Sequence, residues 1–263
     1  MAVSDSHARG TAPRTGVFAV WRRNARVWRK LVIPSLIGHF GEPLLFLLLF
    51  GYGLGQLVGE VDGMPYMVFI ASGLACSTAM FAAKFEALYS AFTRLKQQRT
   101  WEAMLNTPLS VRDIAGGEIL WAATKGLINS SALMIVALAF GLIHAPGILP
   151  GLAVIALGAL AFAAMAMIIT ALAPNYDFFL YYFTLVMTPM MLLSGVFFPM
   201  EVLPGLIQGV AWALPLAHLV ALVRPLLTEV APGPVLLHLG VVIGWSAVCF
   251  PVAVSLLRRR LAD

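Results

Sequence analysis

Charge is scarce in this chain. Asp, Glu, Lys and Arg make up 11% of its 263 residues, whereas an ordinary globular domain carries about a quarter. With 60% hydrophobic residues and a mean hydropathy of +0.90, the deficit excludes a soluble domain, which would have to bury several apolar runs of about 20 residues. Cysteine is scarcer still. Cys76 and Cys249 both lie inside apolar runs, which excludes a disulfide framework and offers no metal spacing. The few histidines, His7, His39, His144, His218 and His238, fall in different segments and read as packing or interface residues, His218 being the one placed in an unusual segment. Walker A, HExxH and GxSxG motifs are all missing. No catalytic residue and no metal site is therefore nominated, and no cofactor is expected on this chain. The net charge of +5 tracks the ends of apolar runs, so it argues a topology and not a nucleic-acid partner. The first thirty residues have no uninterrupted apolar core of the kind a cleavable signal peptide needs.

What is present is a series of apolar runs. They predict an all-α polytopic membrane protein of six transmembrane helices. Residues 1–16 are polar and small, a flexible tail. Residues 17–30, VFAVWRRNARVWRK, place Val17, Val20, Trp21, Val27 and Trp28 on much of one helical face with arginines beside them. That pattern fits an amphipathic helix lying in the membrane interface, or a simple basic anchor. Residues 31–263 form the membrane domain. The first span is expected over 31–59, with Glu42 just before Pro43. Proline suits a first helical turn and a carboxylate there faces the positive end of the dipole, so the lipid-exposed part would begin near Pro43; alternatively Glu42 is an intramembrane polar site. The second span is expected over 66–89, leaving the membrane at Lys84 and Glu86.

A polar connector follows over 93–113, with a short helix from Leu95 to Leu105 ended by Asn106-Thr107-Pro108. Ser110 and Asp113 are spaced to cap the next helix. The third span, 114–140, carries Glu118 and Lys125, about two turns apart on a similar face and near the interface. The fourth is expected over 151–172 and the fifth over 178–198. Residues 199–229 are apolar but cut by Pro199, Pro204, Pro215 and Pro225. Each piece is too short to cross a core of about 30 Å, which predicts a re-entrant helical pair, tolerated only where its irregular backbone is buried or wetted. The last span is expected over 235–257.

Basic residues set the orientation. Fifteen of the seventeen lie before the first span, in the connector loop with Lys84, or after the last span; Arg224 falls on the opposite side and Lys125 inside the third span. Both termini and the connector are thus expected in the cytoplasm.

This order of elements, with the strings VWRK (27–30), QRTWEAML (98–105), TALAPNYDFF (170–179), TPMMLLSGVFFP (188–199), LPLAHLVALVRP (214–225) and LLRRRL (256–261), resembles the type-2 ABC transporter permeases, the ABC-2 family of exporters. Within it the chain looks like the NodJ branch, the permeases of rhizobial lipo-chitooligosaccharide exporters. The resemblance covers nearly the whole chain past residue 16. It implies a permease without an ATPase site of its own, working as a homodimer with two NodI-like ATPase subunits that carry the ATP and Mg, in a bacterial inner membrane. It also implies that the connector is a coupling helix docking on the ATPase, which nominates Arg94, Lys96, Arg99, Trp101, Glu102 and Leu105. Trp101 is expected to be an exposed apolar anchor among charges. Residues 203–228 look like the family's extracellular-side gate. Glu42, Tyr181, Tyr182, Phe183 and His218 are candidates for the substrate path, with Tyr176 beside them, although an aromatic belt at the membrane edge accounts for the tyrosines equally well. The implied cargo is an amphipathic lipid or glycolipid, such as a lipo-oligosaccharide. The alternative is efflux of a hydrophobic drug or natural product.

Overall fold

The computed structural model describes residues 16–228 and 230–262. Of the tail expected over residues 1–16, all but Gly16 lies outside the described residues, as do the side chains of residues 31, 35–40, 42, 43 and 262. The candidate site at Glu42 therefore lies outside the described side chains.

Among the described residues the structure is helices joined by short loops, with one two-stranded hairpin, Glu60–Val61 paired with Met64–Pro65. Asp62 and Gly63 close the hairpin with positive φ angles of 53° and 73°, the turn an Asp-Gly pair favours. Among the described residues four helices are long and apolar enough to cross a membrane: Tyr66–Gln97, Val111–Ala139, Ala145–Leu172 and Val235–Leu261. A fifth candidate is the pair Gly205–Ala213 and Pro215–Leu227, bent by 85°. The two other expected spans are shorter apolar helices, Leu44–Val58 and Phe178–Leu193, in the range of 10–17 residues. At about 1.5 Å per residue Phe178–Leu193 falls short of a core of roughly 30 Å, whereas the helical backbone that contains Leu44–Val58 begins at Val32. Phe178–Leu193 is stopped by Ser194, whose hydroxyl turns back onto the Met190 carbonyl, and by Gly195 in the left-handed region.

Several expected boundaries move. The helical backbone of the first segment starts at Val32, so Pro43 sits within it and not in its first turn. The second helix does not leave the bundle at Lys84 and Glu86, both of which are buried; it runs on to Gln97 through π-helical turns at Glu86–Ser90 and Thr93–Gln97. The short connector helix is therefore only Thr100–Leu105. The fourth span begins at Ala145, ahead of the expected 151, with Pro146 in its first turn and Pro150 inside it. The anticipated cap is present: Ser110 Oγ accepts from the Asp113 amide at 3.1 Å and the Asp113 carboxylate accepts from the Ser110 amide at 2.9 Å.

The Tyr66–Gln97 helix is the most enclosed and the last span the most outward-facing. Small residues set the packing distances, as they do between helices in a bilayer. A Cβ on Gly126 would lie 2.7 Å from the Ala79 carbonyl oxygen, and one on Gly147 would lie 1.5 Å from that of Leu226. At the connector end, the N-terminal helix Gly16–Trp28 seats on the start of the third span, where a Cβ on Gly117 would meet the Val20 Cβ at 2.4 Å. Val20 is buried there and Trp21 Nε1 donates to Thr124 Oγ1 at 3.0 Å. Val27, expected on the same apolar face, is exposed.

Candidate functional site

A π turn builds the site. In a regular α-helix, residues eight apart are offset by roughly 80°. The extra residue in the Glu86–Ser90 π turn absorbs that offset, and Arg94 comes back over Glu86. Arg94 Nη2 lies 2.9 Å from Glu86 Oε1 and 2.6 Å from Glu118 Oε2, while its Nε donates to Glu118 Oε1 at 3.0 Å. The fork-to-carboxylate pairing with Glu118 is the strong, oriented kind of ion pair. Lys125 Nζ is 3.5 Å from the second oxygen of Glu86. Two cations and two carboxylates thus neutralise one another in a place where a single charge would be costly.

Indole N–H groups extend the cluster. Trp101 Nε1 donates to Glu118 Oε1 at 3.1 Å and Trp121 Nε1 to Glu86 Oε1 at 3.0 Å. Trp28 of the N-terminal helix packs edge-on against Trp121, and the Lys125 ammonium sits 5.7 Å from the Trp28 ring centre. The connector helix, the second and third spans and the N-terminal helix therefore meet at one polar knot.

This geometry divides the nominated coupling residues. Lys96, Arg99 and Glu102 are exposed. Trp101 is fully buried, contrary to the expectation of an exposed anchor: its indole N–H reaches Glu118, and Arg99, held at φ 47° in the left-handed region, reverses the chain so that the ring turns inward. Arg94 is likewise turned into the bundle, and Leu105 packs against the core. Glu118 and Lys125, expected near the membrane interface, are buried members of the knot. Sequence reasoning noted the shared face of Glu118 and Lys125. It had no signal for Glu86 as their partner, because π turns carry no sequence signature in this chain.

Beside the knot lies a cavity of about 300 Å³ lined by Arg23, Asn24, Val27, Trp28, Glu86, Ser90, Thr93, Arg94, Gln98, Trp121 and Lys125. Burial lowers the Arg23 guanidinium from its ordinary pKa; Glu118 opposes the shift and Arg94 adds to it.

The substrate-path candidates do not share one surface. Tyr181 is exposed, Tyr182 is buried, and Phe183 packs beside Tyr89 at a ring distance of 6.0 Å. Consecutive helical residues point about 100° apart, so the three cannot line one wall. Tyr182 faces inward, its ring 5.2 Å from the buried Lys84 ammonium. Tyr176 is tied to the second helix by a 2.7 Å hydrogen bond with Thr93 Oγ1. His218 is buried, and the histidines are less scattered than the sequence suggests: His218 and His238 approach at 2.8 Å between their Nδ1 atoms, one donating to the other, while His218 Nε2 lies 2.7 Å from the Trp212 carbonyl oxygen. Trp212 stacks on His238. Together with Pro234, Leu237 and Val241 these residues line a second, largely apolar cavity. Nearby, Arg224 spans the bent-pair end, donating to Ser72 Oγ at 3.0 Å, the Gly195 carbonyl at 2.6 Å and the Phe69 carbonyl at 3.3 Å.

An assembly of apolar helices around a charged knot, with a polar connector and a bent helical pair, is that of a multi-pass membrane protein. The family model for the ABC-2 type transporter matches residues 15–227, and the chain belongs to that family. It is 47% identical over 253 residues to nodulation protein J of Rhizobium leguminosarum bv. viciae, covering 95% of this chain and 98% of that protein. Nodulation protein J of Sinorhizobium fredii is 45% identical over 243 residues, 92% and 93% of the two chains. A more distant relative is the inner membrane transport permease YadH of Escherichia coli, 24% identical over 237 residues, 90% and 91% of the two chains.

Proposed function

We propose that this chain is the permease half of an ATP-driven exporter. Two copies form the path across the bacterial inner membrane, with both termini and the connector in the cytoplasm, and each copy engages an ATP-binding cassette ATPase that binds ATP and Mg. The cargo is an amphipathic molecule, a lipo-oligosaccharide or related lipid-linked glycan; the support is the similarity to nodulation protein J and to the lipo-chitooligosaccharide permeases as a group.

The observation that carries the coupling reading is the hydrogen bond from Trp101 to Glu118, which joins the exposed connector to the Arg94 ion pairs. Lys96, Arg99 and Glu102 form the outward contact surface for the ATPase. Trp101, Arg94 and Glu118 sit behind it and turn a displacement of the connector into a displacement of the second and third spans. The bent pair closes the far end.

The test is co-purification with the cognate ATPase and ATP hydrolysis in nanodiscs with candidate lipo-oligosaccharides added. Wild type is expected to associate in equal numbers and to hydrolyse faster with cargo. Arg99→Glu combined with Glu102→Arg is expected to keep the fold and membrane insertion while transport falls at least tenfold. Normal transport by that variant would overturn the coupling surface, and failure to associate with any ATPase would overturn the exporter reading.

A further inference from the structure

We infer that the cavity beneath the N-terminal helix is a binding site for the phosphate of an anionic membrane lipid. The cavity is rich in donors. Arg23, Arg94 and Lys125 line it, against Glu86 in its wall and Glu118 behind Arg94, so its charge balance is positive. Two further donors on the N-terminal helix, Asn24 Nδ2 and Trp28 Nε1, are buried and have no acceptor among the described residues. Both side chains line the cavity. Native structures rarely leave such groups unmet, because each lost partner costs the desolvation of the donor.

The local acceptors are already engaged. Glu86 receives Arg94, Trp121 and Lys125; Glu118 receives Arg94 and Trp101; the Asn24 carbonyl oxygen receives Arg23 Nη1 at 2.9 Å. An acceptor for Asn24 and Trp28 must come from outside this set. A phosphate supplies several strong acceptor oxygens and a negative charge on a group small enough for about 300 Å³. Val27, exposed on the same wall, gives an acyl chain an apolar place to leave. The surrounding arginines of the N-terminal helix, Arg22, Arg26 and Arg29, are exposed and favour an anionic surface. This site does not depend on the identity of the exported cargo or on an ATPase partner.

The purified full-length chain in neutral detergent would be titrated with phosphatidylglycerol, phosphatidylcholine and inorganic phosphate, reading the unfolding midpoint and the lipid retained in native mass spectrometry. Phosphatidylglycerol is expected to bind at least tenfold more tightly than phosphatidylcholine. Trp28→Phe, which keeps an aromatic ring and removes the N–H donor along with the five-membered ring that bears it, is expected to weaken it roughly three- to tenfold, and Arg23→Gln by a similar factor. Stabilisation by inorganic phosphate without preference for phosphatidylglycerol would support the phosphate chemistry and assign the site to a soluble anion. Equal binding of the two lipids with no effect of phosphate, or unchanged phosphatidylglycerol affinity in both variants, would overturn the proposal. Asn24→Leu guards against misfolding as the cause: native mass spectrometry counts lipid on the folded fraction alone, and the expected loss must appear there.

Discussion

The two ends of the bundle satisfy buried charge in opposite ways. At the connector end, Arg94 and Lys125 meet Glu86 and Glu118, so charge answers charge between two unbroken helices, Tyr66–Gln97 and Val111–Ala139. At the bent-pair end, Arg224 meets the Phe69 and Gly195 carbonyls and the Ser72 hydroxyl, with its guanidinium 3.7 Å from the Phe69 ring centre. Here one acceptor, the Gly195 carbonyl, is freed where the Phe178–Leu193 helix ends, and the others lie in the first turns of Tyr66–Gln97. Ending a helix supplies an acceptor without importing a carboxylate. The connector end is therefore an ionic joint, and the bent-pair end is a set of dipoles.

Removing one partner from each end tests this difference. Glu118→Ala leaves Trp101 without its acceptor and Arg94 with Glu86 alone, and is expected to be the most damaging, about 3–5 kcal/mol in stability, as for other broken buried pairs; denaturant unfolding in detergent would measure it. Arg224→Met removes the cation but leaves only two carbonyls and one hydroxyl to re-pair, and is expected to cost about 1–3 kcal/mol. If the two losses were equal, the contrast between ion pair and dipoles would fail. The smallest effect, about 1 kcal/mol, is expected for Ser110→Ala, which removes a helix cap outside both clusters. A larger loss there would mean that the connector's fold depends on its cap more than on the knot.

Much of the architecture was legible because apolar runs and prolines state it directly. The bent pair over residues 205–227 follows from Pro204, Pro215 and Pro225, and the Ser110–Asp113 cap from spacing alone. The site was legible only in part. Charges at 84 and 86 suggested an exit from the membrane, since charged residues usually mark one. In the fold they mark an interior, because a π turn brings Arg94 over Glu86 and because the third span returns with the complementary residues. Trp101 was placed outside for want of any sign that Glu118, seventeen positions on, would accept its N–H. The meeting of His218 with His238 depends on the bent pair folding back against the last span, a long-range event that neither segment announces.

The ionic joint also constrains how the protein is made. The Val111–Ala139 segment carries Glu118 and Lys125, and a charge at a helix centre raises the cost of insertion by about 2.5–3.5 kcal/mol. Those costs fall once the segment lies against Tyr66–Gln97, which bears Glu86 and Arg94. The nascent chain thus gains most by holding the earlier segment at the insertion machinery until the later one emerges, so that both pass into lipid as one hairpin. The connector between them, over residues 98–110, sets how long that wait must be.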